Sequence, residues 1–181
     1  MSALKEQFTT KIASELTKEL SLSSRLEAPT PEKITINVGL SSKRDAKFIE
    51  TILETLRRIS GQEPVKTKAR KSESGFKIRE GMVIGAKVTL RGERMWSFID
   101  KLVHVAFPRV RDFRGIEKKA IDRAGNFSYG FKEHIAFPEI SSDEIESLHG
   151  LQVTITTSAT NREQGMALFK ALGFPFKKEA K

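Results

Sequence analysis

Apolar residues recur at every fourth position near the start of the chain. Leu4, Phe8, Ile12, Leu16 and Leu20 follow this spacing, and Lys, Glu and Gln stand between them. Such a one-sided apolar stripe is typical of an amphipathic helix that packs by one face only. We expect this helix to pack against the body of the domain. A partner-binding or membrane-surface helix is less favoured, because the polar face carries charges of both signs.

Three further helices are predicted by apolar residues at helical spacing. The first follows a candidate capping pair, Ser42 and Asp45, and ends at Gly61. The second ends before Pro108, and the third begins at Asn161, whose side chain can cap a helix.

Strict alternation of apolar and polar residues predicts strands at 33–38, 64–69, 82–91 and 151–155. Successive side chains of a strand point to opposite faces, so each apolar set faces a core and each polar set faces solvent or a ligand. If the first three strands are neighbours, their polar residues form one basic sheet face. The members of that face would be Thr35, Asn37, Lys66, Lys68, Lys87, Thr89 and Arg91.

Four aromatic side chains admit two interpretations. Phe127, Tyr129 and Phe131 alternate in a fifth predicted strand within 126–137, and Trp96 lies on the apolar stripe of a helix. Aromatic residues spaced by two on a sheet can stack on RNA bases. We favour core positions for all four.

Two basic loops and one acidic turn separate these elements. Arg70 to Gly81 lacks helical period and is rich in Ser and Gly, so we expect a long flexible loop between strands. Arg109 to Gly115 is a basic loop with an aromatic that we expect to be exposed, suited to phosphate or protein contacts or to solvent alone. Ser141 to Glu146 would repel a phosphate backbone, and we expect it to point elsewhere, toward a protein.

The order of elements predicts the fold class. Strands mixed with helices, without regular βαβ spacing, indicate an α+β fold: a two-layer sandwich with a largely antiparallel sheet and helices packed on one face. A chain of 181 residues can bury its own core. We expect one domain over 1–181, with an N-terminal helix and a mobile basic loop at 70–81.

Charge is distributed unevenly along the chain. Residues 57–114 hold fifteen Lys and Arg against six Asp and Glu, whereas the flanking parts are balanced, so this third carries the whole net charge of +9. A concentrated basic region attracts polyanions, and nucleic acid is favoured well above an anionic membrane. Arg57 and Arg58 end a predicted helix, where the helix dipole and a nucleic-acid role explain them equally well.

Several classes of protein are disfavoured by composition. The chain has no cysteine, and its N-terminus is too charged for a signal peptide. No apolar run approaches the roughly 18 residues of a membrane span, so we expect a soluble cytoplasmic protein. His104, His134 and His149 lack metal-ligand spacing, and structural roles are expected for them.

No motif for nucleotide hydrolysis, dinucleotide binding or a nucleophile elbow is present, and no cofactor is expected. Binding is therefore favoured over catalysis. RNA is favoured over DNA, because no helix-turn-helix with a basic recognition helix stands out. An RNA-processing or RNA-modifying enzyme with the same basic surface and a DNA-binding module remain as alternatives.

Six stretches together resemble one protein family. The longest runs from Leu56 to Ser72, through Ser60-Gly61-Gln62 and Ala69-Arg70. The chain is similar, over essentially its whole length, to bacterial members of the large-subunit ribosomal protein family that binds 5S ribosomal RNA in the central protuberance. The further stretches that carry the resemblance are Glu32–Asn37, Lys87–Trp96, Pro108–Gly115, Phe137–Ile140 and Phe174–Phe176.

The resemblance implies a structural protein that works in the cytoplasmic ribosome, with defined RNA contacts. The residues that it implies for 5S ribosomal RNA are Thr35, Asn37, Gln62, Lys66, Lys68, Thr89 and Arg91. The residues that it implies for the elbow of the P-site transfer RNA are Arg70, Lys71, Ser72, Lys77 and Arg79. Contact with large-subunit RNA, or with a head protein of the small subunit in an intersubunit bridge, is placed near Arg109, Arg111 and Arg114 or at the acidic turn. Neighbouring central-protuberance proteins are further expected partners. Glu73 departs from an all-basic loop and weakens its local field.

Overall fold

A computed structural model of the chain describes residues 3–40, 46–140 and 148–177. The helices are α1 (Ala3–Gln7), α2 (Ala13–Glu19), α3 (Ala46–Ser60), α4 (Gly92–Lys101), α5 (Phe107–Arg109) and α6 (Arg162–Ala171). The strands are β1 (Pro31–Gly39), β2 (Val65–Lys68), β3 (Val83–Leu90), β4 (Phe127–Phe131) and β5 (Leu151–Thr157). Two five-residue π-helical turns, Phe8–Ile12 and Leu102–Ala106, join α1 to α2 and α4 to α5.

The five strands form one sheet in the order β2-β3-β1-β5-β4. The expected α+β class with an antiparallel sheet is confirmed. Ile34, Ile36 and Val38 of β1 are buried, as their alternation predicted. Across the described ranges, no helix combines the length and apolar character that crossing a bilayer requires.

The packing divides the chain into two compact units. The first unit comprises Met1–Ile34, Leu90–Tyr129 and Thr154–Lys181, and the second comprises Thr35–Thr89 and Gly130–Val153. The single domain expected from the sequence stays a prediction.

In the first unit, the N-terminal helical segment packs by its apolar face. Leu4, Phe8, Ile12 and Leu16 are buried. The Phe8 ring lies 5.0 Å from the Trp96 ring, and Lys5 forms an ion pair with Glu93. The expected packing against the body of the protein and the core position of Trp96 are both confirmed.

An aromatic cluster fills the rest of the first unit's core. Phe127 packs on Phe169 and Phe174, with ring centroids 5.1 and 5.0 Å apart. Tyr129 meets the edge of Phe107 at 5.3 Å, and partial burial raises the pKa of the Tyr129 hydroxyl. The core interpretation is confirmed for Phe127 and for Phe131, which packs on Phe137 in the second unit, whereas Tyr129 is half-buried.

Two expectations for the segment around Pro108 are wrong. Helical structure continues through α5 to Arg109 instead of ending before Pro108. The fixed φ of Pro108 is compatible with a helix, and α5 ends at the next residue, Arg109. The aromatic of the following loop, Phe113, is half-buried instead of exposed, because it stacks on Phe107 at 5.7 Å.

A tight turn before β4 completes the first unit. Asp122 accepts hydrogen bonds from the backbone N–H of Asn126 at 2.8 Å and from its side-chain amide at 3.0 Å. Partial burial raises the pKa of the Asp122 carboxyl, but hydrogen bonds from Asn126 and from neighbouring backbone N–H groups outweigh it and leave the pKa below its ordinary value. The turn brings Gly125 against α6.

In the second unit, α3 buries Ile52, Leu56 and Ile59 completely. His134 and His149 are also buried, and their rings stack with centroids 4.2 Å apart. The His149 backbone N–H donates to Nδ1 of His134 at 3.3 Å, so both residues have structural roles, as predicted. In the first unit, the more exposed His104 contacts Asp100 at 2.9 Å. The described residues contain no group of three metal-ligating side chains.

Candidate nucleic-acid interface

The turn between α3 and β2 is fixed by its own side chains. Gly61 ends the helix with φ of 65°, a left-handed conformation that glycine adopts without strain. The Ser60 hydroxyl donates to the Leu56 carbonyl at 2.6 Å and accepts from the Gln62 backbone N–H at 3.2 Å. Gln62 Nε2 donates to the Thr89 carbonyl oxygen at 3.1 Å, which ties the turn to the end of β3.

The predicted basic sheet face is only partly formed. β2 pairs antiparallel with β3, and Lys66 stands opposite Ala86 while Val65 stands opposite Lys87. Directly opposed residues share a face, so Lys66 lies on the face of buried Ala86 and not beside Lys87. A bulge between Thr67 and Lys68 then pairs Lys68 with Val83. Placing Lys66 on the same face as Lys87 was therefore wrong.

The polar residues of β1 and β3 lie on the less buried sides of their strands. Asn37 and Lys87 are exposed, and Thr35 and Thr89 are half-buried, whereas the residues that alternate with them are buried. Because β3 is the neighbour of β1, these four side chains form one surface, here called the open face. Val65, which is 61% exposed, borders the open face opposite Lys87.

The centre of the β2–β3 pair leaves no room for a side chain at Gly85. A Cβ there would lie 2.7 Å from the Thr67 hydroxyl and 2.7 Å from the Val38 carbonyl oxygen. Distances this short require glycine, which lets the three neighbouring strands approach closely at this point. A substitution of Gly85 would therefore have to displace backbone or the Thr67 side chain.

Residues 69–82, which join β2 to β3 and include the predicted loop Arg70 to Gly81, form a hydrogen-bonded hairpin. Ala69 N–H donates to Met82 O at 2.8 Å, and Gly81 N–H donates to Ala69 O at 3.0 Å. Glu73 and Ile78 exchange backbone hydrogen bonds of 2.8 and 3.0 Å, which close a four-residue turn. The Ser72 hydroxyl accepts from the Glu80 N–H at 3.0 Å. This segment is called the basic hairpin below.

Cations of the second unit fall into two groups. Arg57 pairs with Glu63 at 3.1 Å and Arg58 pairs with Glu54 at 3.1 Å, which favours a structural role for both arginines over a nucleic-acid role. Seven further cations, which lie in β2, the basic hairpin and β3, form no ion pair with any residue in the described ranges, and they are exposed. These cations are Lys66, Lys68, Arg70, Lys71, Lys77, Arg79 and Lys87. Cations without a protein partner can hold phosphates without first breaking a contact.

Four of the predicted basic residues belong to the first unit. Arg91 is exposed and immediately precedes α4, and Arg109, Arg111 and Arg114 are exposed at or after the end of α5. Asp112 between them has φ of 53°, a left-handed conformation within a turn. The predicted capping pair Ser42 and Asp45 and the acidic turn Ser141 to Glu146 lie outside the described residues.

Two exposed apolar side chains were missed by sequence reasoning. Val65 was assigned only to a strand face, although β2 is an edge strand and leaves it exposed. Phe76 at the end of the basic hairpin received no role, although it is the one aromatic in a run of Ser, Gly and basic residues. That isolated position was the signal that could have identified it.

Comparison with known proteins shows the class of protein to which the chain belongs. The protein-family model described as "Ribosomal protein L5" matches residues 24–79. A second family model, which describes the C-terminus of that ribosomal protein family, matches residues 83–176. Both describe ribosomal proteins. A large ribosomal subunit protein uL5 of Francisella philomiragia is 50% identical over 178 residues, with 98% of this chain and 99% of the relative covered. A protein of the same name from Francisella tularensis is 49% identical over the same length and coverage.

The chain therefore belongs to the ribosomal protein L5 family, and it is of the bacterial type. It is a protein of the large ribosomal subunit and not an enzyme. The predicted family and its location in the ribosome are confirmed, and the alternatives of an RNA-modifying enzyme and a DNA-binding module are set aside.

Proposed function

We propose that the open face binds 5S ribosomal RNA and helps to attach it to the central protuberance of the large subunit. The observation that carries this proposal is the surface made by Thr35, Asn37, Lys87 and Thr89 on two neighbouring strands. It combines short hydrogen-bonding side chains with a cation that has no partner among the described residues. Structured RNA is bound through phosphate and 2′-hydroxyl contacts, which need this combination.

Residues at the margins of the open face would extend the contact. Lys66 and Lys68 follow the edge of the sheet and supply charge there. Gln62 would act mainly by positioning, because its side-chain amide already holds the Thr89 carbonyl. Arg91, the next cation along the chain, would contact the same RNA.

The basic hairpin would contact the P-site transfer RNA. Arg70, Lys71, Lys77 and Arg79 outnumber Glu73 and Glu80 in this segment, and Ser72 braces it through its contact with Glu80. Its backbone hydrogen bonds form a defined projection between β2 and β3. An RNA contact made by such a projection is separate from the open face and can be changed without altering it.

Arg109, Arg111 and Arg114 of the first unit would contact large-subunit RNA or a head protein of the small subunit in an intersubunit bridge. All three are exposed, and the turn at Asp112 lies between Arg111 and Arg114. Neighbouring proteins of the central protuberance complete the proposed set of partners.

The test is binding of the full chain to 5S ribosomal RNA in competition with an unrelated RNA of equal length. We expect the 5S RNA to be preferred. Asn37→Ala combined with Lys87→Ala should weaken 5S binding by roughly tenfold or more, because a charge-assisted contact and a hydrogen bond are lost together. Lys18→Ala, an exposed lysine in α2 of the first unit, is the matched control and should bind like the parent. Equal affinity of the parent for the two RNAs would overturn the proposal.

A further inference from the structure

The end of the basic hairpin presents an exposed aromatic ring. Phe76 is 71% exposed, and among the large apolar side chains that are exposed in the described ranges it is the only aromatic one. Burying a phenylalanine side chain is worth about 1.5–3 kcal/mol. A phenyl ring this exposed gains little of that energy on folding, so most of its apolar surface can still be buried against a partner.

Backbone hydrogen bonds fix where residue Phe76 stands in the basic hairpin. The bridge between Glu73 and Ile78 encloses Ser74–Phe76 as a 3-10 turn, and Lys77 follows with φ of 55°. The turn lies between two hydrogen-bonded strands, and a second pair of hydrogen bonds joins Ala69 to Gly81 and Met82 nearer the sheet. Backbone hydrogen bonds thus hold Phe76 at the end of the basic hairpin that is farther from the sheet.

The charges around the ring indicate the chemistry of its partner. Four basic residues against two acidic ones give the hairpin a positive field, and the nearest cation, Lys77, directly follows the ring. A positive field with an exposed aromatic suits a polyanion that also offers flat apolar surfaces, which describes RNA with unpaired bases. In a base-paired helix, neighbouring base pairs cover the faces of the bases. Stacking on the Phe76 ring therefore requires a nucleotide that lies outside such a helix.

We infer that Phe76 stacks on an unpaired nucleobase of the RNA that the basic hairpin contacts. This inference rests on the proposed contact with P-site transfer RNA, and it assigns the two parts of the contact to different side chains. Arg70, Lys71 and Lys77 hold phosphates, and Phe76 holds a base. Stacking accepts any base with a free face, so the ring secures RNA without reading its sequence.

The test compares side chains with and without an aromatic face. Full-length chains with Phe76→Leu or Phe76→Trp are assembled into ribosomes, and the dissociation rate of deacylated P-site transfer RNA is measured. Phe76→Leu keeps an apolar side chain but loses stacking, and we expect dissociation to accelerate by roughly 5- to 100-fold, the equivalent of one lost stack. Phe76→Trp should dissociate at the parent rate or more slowly.

Arg70→Ala combined with Lys71→Ala separates failure of the stack from failure of the proposed function. This variant should also accelerate dissociation, while 5S RNA binding by the free protein stays close to that of the parent. If it accelerates dissociation and Phe76→Leu does not, the transfer RNA contact stands and the stack is wrong. If neither variant changes the rate, the proposed transfer RNA contact itself is wrong. If Phe76→Leu behaves like the parent and Phe76→Trp is impaired, the ring occupies an apolar protein pocket instead.

Discussion

Gly165 shows how one residue can be fixed by a neighbour that is distant in the sequence. It lies in α6, yet a Cβ at this position would stand 2.5 Å from both the Cα and the carbonyl oxygen of Gly125. Gly125 has φ of 81°, and a Cβ on it would stand 2.6 Å from Ala159 Cβ. Both positions therefore need glycine, so that the turn before β4 can touch the helix.

We predict that Gly165→Ala destabilises the protein. In an exposed helix interior this change would stabilise by up to about 1 kcal/mol. Here the new methyl group must displace backbone, and overpacking of this kind costs about 1–3 kcal/mol. Urea unfolding followed by circular dichroism measures the difference. Gly130→Ala is the control, because a Cβ at Gly130 meets nothing within 4 Å; it should stay within about 0.5 kcal/mol of the parent. A Gly165→Ala protein as stable as the parent would contradict the predicted clash.

Individual core residues were predictable where a local pattern marks them. Ile34, Ile36 and Val38 alternate, and all three are buried. Neither the contact between Gly125 and Gly165 nor the burial of Phe113 against Phe107 has a local pattern, because each depends on two segments meeting in the fold. The alternation of apolar and polar residues indicates which side of a strand is apolar. It does not indicate which other segment of the chain packs against that side.

Among the elements, the turn between α3 and β2 links the core helix to the open face. Gln62 reaches across to the Thr89 carbonyl, and Ser60 closes the turn from the helix side. The Gln62 hydrogen bond therefore connects an element that packs the core to the strand that carries two members of the open face, Lys87 and Thr89.

We predict that Gln62→Glu lowers the stability of the free protein by about 0.5–1.5 kcal/mol, the usual net worth of a hydrogen bond. The change preserves the shape of the side chain, but an ionised carboxylate cannot donate to the Thr89 carbonyl. Thermal unfolding without RNA measures the loss, and Gln62→Ala should show a similar one. Unchanged stability together with weakened 5S RNA binding would show that Gln62 is a direct RNA ligand and not a positioning residue.

Strand pairing explains why the elements were predicted better than their mutual register. The three strands of the expected basic face are neighbours, which was the condition for that face to form. Which cations share a face depends on which residues stand opposite each other, and a bulge at Thr67 and Lys68 changes that relation within β2 itself. The backbone hydrogen bonds between Glu73 and Ile78 could not be predicted from the sequence either, because apolar and polar residues do not alternate in that segment.

At the scale of the whole molecule, the basic excess and the candidate interface coincide in the sequence. Residues 57–114 carry the entire net charge, and they include the basic hairpin, Lys87 and the arginines after α5. Other cations, such as Lys18 in α2, lie in parts of the chain where charges balance. If RNA is held by local phosphate contacts, the position of a lysine matters more than its contribution to net charge.

We predict that Lys87→Ala and Lys18→Ala differ in the salt dependence of 5S RNA binding. Each phosphate contact releases counterions, so the logarithm of the binding constant falls with the logarithm of salt concentration by roughly 0.7–0.9 per contact. Lys87→Ala should reduce the steepness of this slope by about that amount. Lys18→Ala removes the same charge and should leave the slope unchanged. Binding titrations from about 50 to 200 mM salt measure both slopes. Equal reductions in the two variants would show that overall charge, and not the open face, governs the capture of RNA.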